Sequence, residues 1–406
     1  MNKLEVEKNT NKKYRYVVLA IFCLCSITIN YSQAQLSPLA NEIMQQYHIS
    51  KMQFSALYSA PMLPAVLLSI PAGVLVDKIG IKKLVGVSLM MGMLGALGRV
   101  FVSGYYTFYV CMVLSGIALI FINAANVKIF GLWFPPIQVS VVVGVLMSAG
   151  ALGKTLGTGT TAFLPSSKVA FLITAFAYII TFFCWIFFMK EEKTVPYKSQ
   201  KEDGIKATFY GIKSVIVNKY VFICSIALMC IYGAYYVANA YLPATLTGRG
   251  YSAVSAGVIA SMVTIGYCLG CLIIPMLIRN KRYKRAILFL FGLIGAVIIA
   301  VGSVYLDGVG LVVAVTMIGI CVGGLLPSIF SLPIQLPEIG AKYAGTAGGI
   351  LSTMQLFGAV VIPTYIIVPA SSGDYIKMFL YAGISMLFVC VCSLFFPKST
   401  GKINGI

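Results

Sequence analysis

The chain has 406 residues, of which 59% are apolar and 10% charged. Soluble domains carry about a quarter charged residues, so this composition excludes an ordinary cytosolic enzyme and any disordered or collagenous chain. A bilayer crossing takes ~20 apolar residues plus a short connection, which leaves room for roughly a dozen spans and no sizeable soluble domain.

Apolar runs between charged or turn-rich breaks predict twelve helical spans, at 14–45, 52–76, 84–104, 106–130, 138–163, 167–189, 219–244, 252–278, 286–305, 308–333, 342–369 and 374–397. The first run is too long, and with Asn30, Gln33 and Gln35 too polar, for a cleaved signal peptide. Pro61, Pro64 and Pro71 predict a bent second span. The one long polar stretch, 191–218, reads as a cytoplasmic linker between two six-span bundles, 1–190 and 219–406. The 11 cysteines lie in apolar surroundings and read as packed thiols. Cys268 and Cys271 form a C-x-x-C inside an apolar run, far in sequence from the single histidine, His48, so neither a metal site nor a cofactor is expected.

The net charge of +19 raises the question of nucleic acid, which the placement of the 30 basic residues answers. Basic residues crowd the tail up to Arg15, the connection Lys78 to Lys83, the stretch Lys190 to Lys219 and the connection Arg279 to Arg285. The opposite side receives only Lys51, Lys168, Arg249 and Lys377. This is the positive-inside bias of a multi-pass membrane protein with both termini cytoplasmic, here expected in a bacterial inner membrane as a monomer. The excess charge is topology, not a nucleic-acid footprint.

The two halves echo each other. Gly144 to Gly153 reads GVLMSAGALG and Gly349 to Gly358 reads GILSTMQLFG, with Gly116 and Gly319 upstream at similar distances. Gln33 to Leu36 is followed by Pro38, and Asn239 to Leu242 by Pro243. Internal repeats are the usual build of carriers in which two bundles rock about a shared site. Gly73-Val74-Leu75-Val76-Asp77-Lys78-Ile79-Gly80-Ile81-Lys82-Lys83 matches G-x-L-x-D-x-x-G-[RK]-[RK] between the second and third spans, with Ile81 at one basic position. On these residues the chain resembles the major facilitator superfamily over nearly its whole length. The resemblance implies an all-α membrane protein of twelve transmembrane helices in two pseudo-symmetric bundles, and a gating role for Gly73, Asp77, Gly80, Lys82 and Lys83. Lys128 to Pro135 (KIFGLWFP), Gly98-Arg99 and Tyr241-Leu242-Pro243 are similar to the cyanate and nitrate porter and oxalate:formate antiporter branches. The second span lacks an arginine, and the eleventh carries Gln355 with no lysine in its core.

Candidate substrate contacts follow from helical spacing. Tyr232, Tyr235, Tyr236 and Asn239 share one helix face, as do Thr28, Tyr31, Ser32 and Gln35. Lipid offers no hydrogen-bond partners, so both stripes are expected on a central cavity, completed by Asn123, Gln355, Tyr58 and Tyr267. Interhelical bonding without ligand contact is the competing account of such stripes. Two cations fall within spans. Arg99, near the outer end of its span, can snorkel to the interface, whereas Lys154 lies deep in the fifth span. No aspartate or glutamate lies well inside any span, so a site lysine is best matched by an anionic substrate. Ser148 to Thr155 (SAGALGKT) approximates a phosphate-binding P-loop, but apolar runs flank it and no nucleotide is expected.

The expected activity is therefore secondary or facilitative transport of a small organic anion, a carboxylate, by alternating access. The absence of an intramembrane acid favours uniport or exchange over proton coupling. An exporter of amphipathic compounds is the alternative carrier, and a non-transporting receptor is the alternative of another class.

Overall fold

The computed structural model describes residues 3–134, 136–190, 218–278, 284–332 and 340–396. The expected linker thus lies almost wholly outside the described residues. The chain divides into two compact units, Met1–Ile49 with Ala60–Tyr197, and Ser50–Ser59 with Lys198–Ile406. The sequence assigns 50–59 to the first bundle; in the structure this segment groups with the second unit.

Every described element is helical. In the first unit these are α1 (Lys3–Ala34), α2 (Ala40–Gln46), α4 (Leu63–Ile79), α5 (Ile81–Gly98), α6 (Tyr105–Trp133), α7 (Pro136–Thr161) and α8 (Ser167–Phe188). The second unit holds α3 (Lys51–Ser59), α9 (Lys219–Gly248), α10 (Ala253–Ile278), α11 (Lys284–Val297) and α12 (Ser303–Tyr305). It continues with α13 (Gly308–Phe330), α14 (Gly340–Val361), α15 (Val368–Ala370) and α16 (Tyr375–Phe395). Ten described helices are long and apolar enough to cross a membrane. The other two expected spans correspond to the broken run 51–79 and to α7, which is rich in glycine, serine and threonine.

Two expected spans differ in shape. The first ends at Ala34 rather than 45, because Pro38 cannot donate the next helical bond; a turn follows, in which Ser37 N–H donates to the Ala34 carbonyl at 3.1 Å. The second is interrupted by a 3-10 turn at Ala60–Met62, centred on Pro61, as the prolines predict. Side chains start three helices: Ser166 accepts from Val169 N–H, Asn218 from Tyr220 and Val221 N–H, and Asp374 from Ile376 N–H. Gly80, at φ 92°, makes the turn between α4 and α5, a conformation open to glycine and costly to other residues.

Glycine seams set the packing inside each unit, in matching fashion. A methyl added at Gly153 of α7 would collide with the Ile27 carbonyl of α1, and one at Gly358 of α14 with the Met229 carbonyl of α9. Likewise Gly116 of α6 abuts the Pro61 carbonyl, and Gly319 of α13 the Val263 carbonyl of α10. The glycines that echo in sequence hence do equivalent work in the two units, letting backbones meet where side chains would hold them apart. The core of the first unit is aromatic: Phe22 of α1 meets Phe130 of α6 and Trp185 of α8, both at 5.3 Å between ring centres.

Candidate functional site

In the second unit, α9 brings its predicted stripe together. Tyr232 lies 5.8 Å from Tyr235 and 5.2 Å from Tyr236, ring centre to ring centre. Tyr235 then meets Tyr267 of α10 at 5.6 Å, and Tyr236 meets Tyr58 of α3 at 5.7 Å. Five tyrosine rings therefore form one cluster on three helices. Asn239 donates to the Tyr235 carbonyl one turn back at 2.8 Å, which tethers its amide to α9 itself. Tyr58, Tyr235 and Tyr236 are buried and Tyr232 and Tyr267 half-buried. Tyrosine faces carry the negative end of the ring quadrupole, and the phenol oxygens both donate and accept, chemistry that suits a flat ring or an organic cation. Gln355, on α14, is half-buried.

The segment α3 is held in the second unit by polar contacts at several points. Tyr241 donates to the Lys51 carbonyl at 2.5 Å, and Ser55 and Thr364 share a hydroxyl hydrogen bond at 3.0 Å. The Lys51 ammonium donates to the Gly373 carbonyl and lies 3.5 Å from the centre of the Tyr375 ring. Gly373 and its neighbour Ser372 both have positive φ, so this turn is shaped to present a carbonyl. Burial pulls the Lys51 pKa below its ordinary value, and the Asp374 carboxylate offsets part of that.

The first unit treats its predicted residues differently. Thr28 of α1 pairs with Thr181 of α8 at 2.8 Å. Gln35 is fully buried, its amide nitrogen donating to the Ala170 carbonyl at 2.8 Å and its oxygen accepting from Thr174 at 2.8 Å. Gln35, expected on the cavity, is engaged at both ends of its amide by α8 instead. Tyr31 remains half-buried, its backbone carbonyl abutting Gly157 of α7. Lys154 lies on α7 one residue beyond Gly153, half-buried, about two-thirds of the way along the helix.

Arg99 does not snorkel. It is 1% exposed, and its guanidinium donates to the Ser32 carbonyl at 3.0 Å and the Ser32 hydroxyl at 2.7 Å, with the Phe171 ring 5.4 Å away. Sequence reasoning missed this role because its partner is a backbone oxygen on another helix. Of the gating residues, Gly73 and Asp77 lie on α4 and Asn123 of the cavity set on α6, with side chains outside the described set. Gly80 makes the turn, Lys82 is half-buried and Lys83 exposed.

Residues 19–363 match the Major Facilitator Superfamily. The chain belongs to that family. It is a multi-pass membrane transporter, not an enzyme. It is 26% identical over 374 residues to the choline/ethanolamine transporter FLVCR1 of Felis catus, covering 85% of this chain. This major facilitator chain spans 66% of the cat protein's length. It is 20% identical to the gallate transporter of Pseudomonas putida, over 77% of this chain and 76% of that protein. In fold it is similar to the nucleoside transporter NupG, with a TM-score of 0.77 at 14% identity, covering 93% of this chain and 99% of that one.

Proposed function

We propose that this major facilitator chain moves a small organic anion, a carboxylate, across a bacterial inner membrane by alternating access of two bundles, with both termini cytoplasmic. The observation that carries this reading is Lys154, a cation set deep in a membrane helix whose glycine face is locked against α1. A lysine so placed is costly in lipid and is kept where it serves a pathway. The similarity to a gallate transporter supports it. In this reading Lys154 meets the carboxylate, while Tyr31, Asn123, Tyr232, Tyr235, Tyr236, Asn239 and Gln355 line the path, and Gly73, Asp77, Gly80, Lys82 and Lys83 gate it. Gln35 enters only as support for the helix that bears Tyr31.

The test is uptake of labelled aromatic and aliphatic carboxylates into proteoliposomes holding the wild type or Lys154→Gln. Loss of carboxylate uptake in Lys154→Gln at unchanged protein level supports the reading; undiminished uptake with unchanged affinity removes Lys154 from the site. A second reading, transport of amphipathic or cationic solutes, is favoured by the tyrosine cluster and by the similarity to a choline/ethanolamine transporter. Thermal stabilisation of the purified protein by quaternary ammonium compounds and not by carboxylates would put that reading first.

A further inference from the structure

On the first unit, α5 and α8 border a groove of about 400 Å³ that shares Lys82 and Lys83 with the proposed gate. Lys82 and Lys83 stand at one end, and Val87, Met90, Phe182 and Trp185 form its walls. Lys83, Gly86, Val87 and Met90 fall at the spacing of one helix face, so the groove runs roughly 10 Å along α5 from its charged end. Gly86 opens it. A methyl there would lie 3.6 Å from the Trp185 ring, so any longer side chain would occupy the space over the indole. Trp185 Nε1 donates to the Lys82 carbonyl at 3.0 Å, and the indole lies buried within the groove wall.

The surroundings say what the groove opens on. Val87 is 52% exposed and Phe187 71%, and Met90, Phe183 and Ile186 are exposed as well. Exposed apolar side chains of this density on a membrane helix meet lipid, not water. A groove with two lysines at the head, no acidic residue among the described residues of its lining and an apolar body open to lipid has the polarity of a phospholipid with a net negative headgroup.

We propose that this groove is a binding site for an anionic phospholipid. Its phosphate sits at Lys82 and Lys83 beside the first turn of α5, whose N–H groups add positive potential. An acyl chain lies over the exposed Val87 and Met90, against the wall that holds the buried Trp185. The site borders the proposed gate through Lys82 and Lys83, and it does not depend on which solute is carried.

The chain has two tryptophans, so Trp133→Phe leaves Trp185 as the sole emitter. The purified Trp133→Phe protein is reconstituted in phosphatidylcholine vesicles containing equal fractions of either brominated phosphatidylglycerol or brominated phosphatidylcholine, and Trp185 quenching is compared. The expected result is severalfold stronger quenching by the phosphatidylglycerol, relieved by unbrominated phosphatidylglycerol and not by inorganic phosphate. That preference is lost in Lys82→Gln/Lys83→Gln and kept in Lys82→Arg/Lys83→Arg. Gly86→Leu, which fills the groove while leaving both lysines, is expected to lower quenching by both lipids and keeps the test decisive should the lysine variant misfold. Equal quenching by the two lipids in the Trp133→Phe protein, or an unaltered preference in the glutamine variant together with undiminished quenching in the leucine variant, overturns the proposal.

Discussion

Arg99 caps the end of α1 through Ser32. Of the last four carbonyls of that helix, those of Tyr31, Gln33 and Ala34 accept backbone N–H groups from the following turn, and that of Ser32 accepts from the Arg99 guanidinium at 3.0 Å. The negative end of the helix dipole thereby meets a buried cation, which explains how an arginine persists inside a membrane bundle without a carboxylate beside it.

Arg99→Gln is expected to lower stability by about 1.5–3 kcal/mol, the range for a lost hydrogen bond to a charged group. Arg99→Lys should recover little, since one ammonium cannot reproduce the planar fork that reaches both Ser32 oxygens. Thermal unfolding of the detergent-purified variants decides this; an unchanged midpoint for Arg99→Gln would show the cap to be energetically idle.

Two glycines on α7 should respond in opposite directions to alanine. At Gly153 a methyl collides with the Ile27 backbone and must push α1 away, whereas at Gly144 it meets nothing within 4 Å. Gly144→Ala is accordingly expected to stabilise by about 0.5–1 kcal/mol through helix propensity, and Gly153→Ala to destabilise. Thermal midpoints that move together would refute the seam.

The crossing of α10 and α13 is the tightest in the second unit. Gly266 and Gly270 abut the carbonyls of Thr316 and Ile320, while Gly319 and Gly323 abut those of Val263 and Tyr267. Two G-x-x-x-G faces hence meet each other, and Tyr267 of the tyrosine cluster rides on this seam. Gly270→Val and Gly323→Val are each expected to abolish accumulation of folded protein, read by size-exclusion chromatography of a fluorescent fusion. A monodisperse peak from either variant would show that the crossing tolerates separation.

These contacts mark where sequence reading reaches its limit. The tyrosine stripe of α9 was legible because helical spacing alone puts Tyr232, Tyr235 and Tyr236 on one face, and the echoing glycines Gly153 and Gly358 were legible as a repeat. The stripe of α1 obeys the same spacing, yet Thr28, Ser32 and Gln35 direct their hydrogen bonds to α8 and to Arg99 at the end of α5. Periodicity identifies a polar face; only the neighbouring helix shows whether that face is already satisfied. The glycine pairs Gly266 with Gly270 and Gly319 with Gly323 were present in the sequence, but their facing partners are fixed by tertiary contact. The same holds for residues 50–59, whose placement with the second unit rests on Tyr241, Thr364 and Gly373, all remote in sequence.

Lys51 gives that placement a pH signature. Burial lowers its pKa in the folded protein, so between that lowered value and 10.5 the unfolded chain holds more protons than the folded one. Stability contributed through Lys51 must then rise with pH across this window, because the cost of burying the charge is present below the folded pKa and is relieved as the ammonium deprotonates. Lys51→Gln removes the titration. The wild type should gain stability relative to Lys51→Gln as pH is raised from neutral toward about 10, measured as the difference in thermal midpoint between the two proteins. A difference that stays flat, or narrows in the opposite sense, would show that the Lys51 ammonium is as well solvated beside Gly373 and Tyr375 as it is in the unfolded chain.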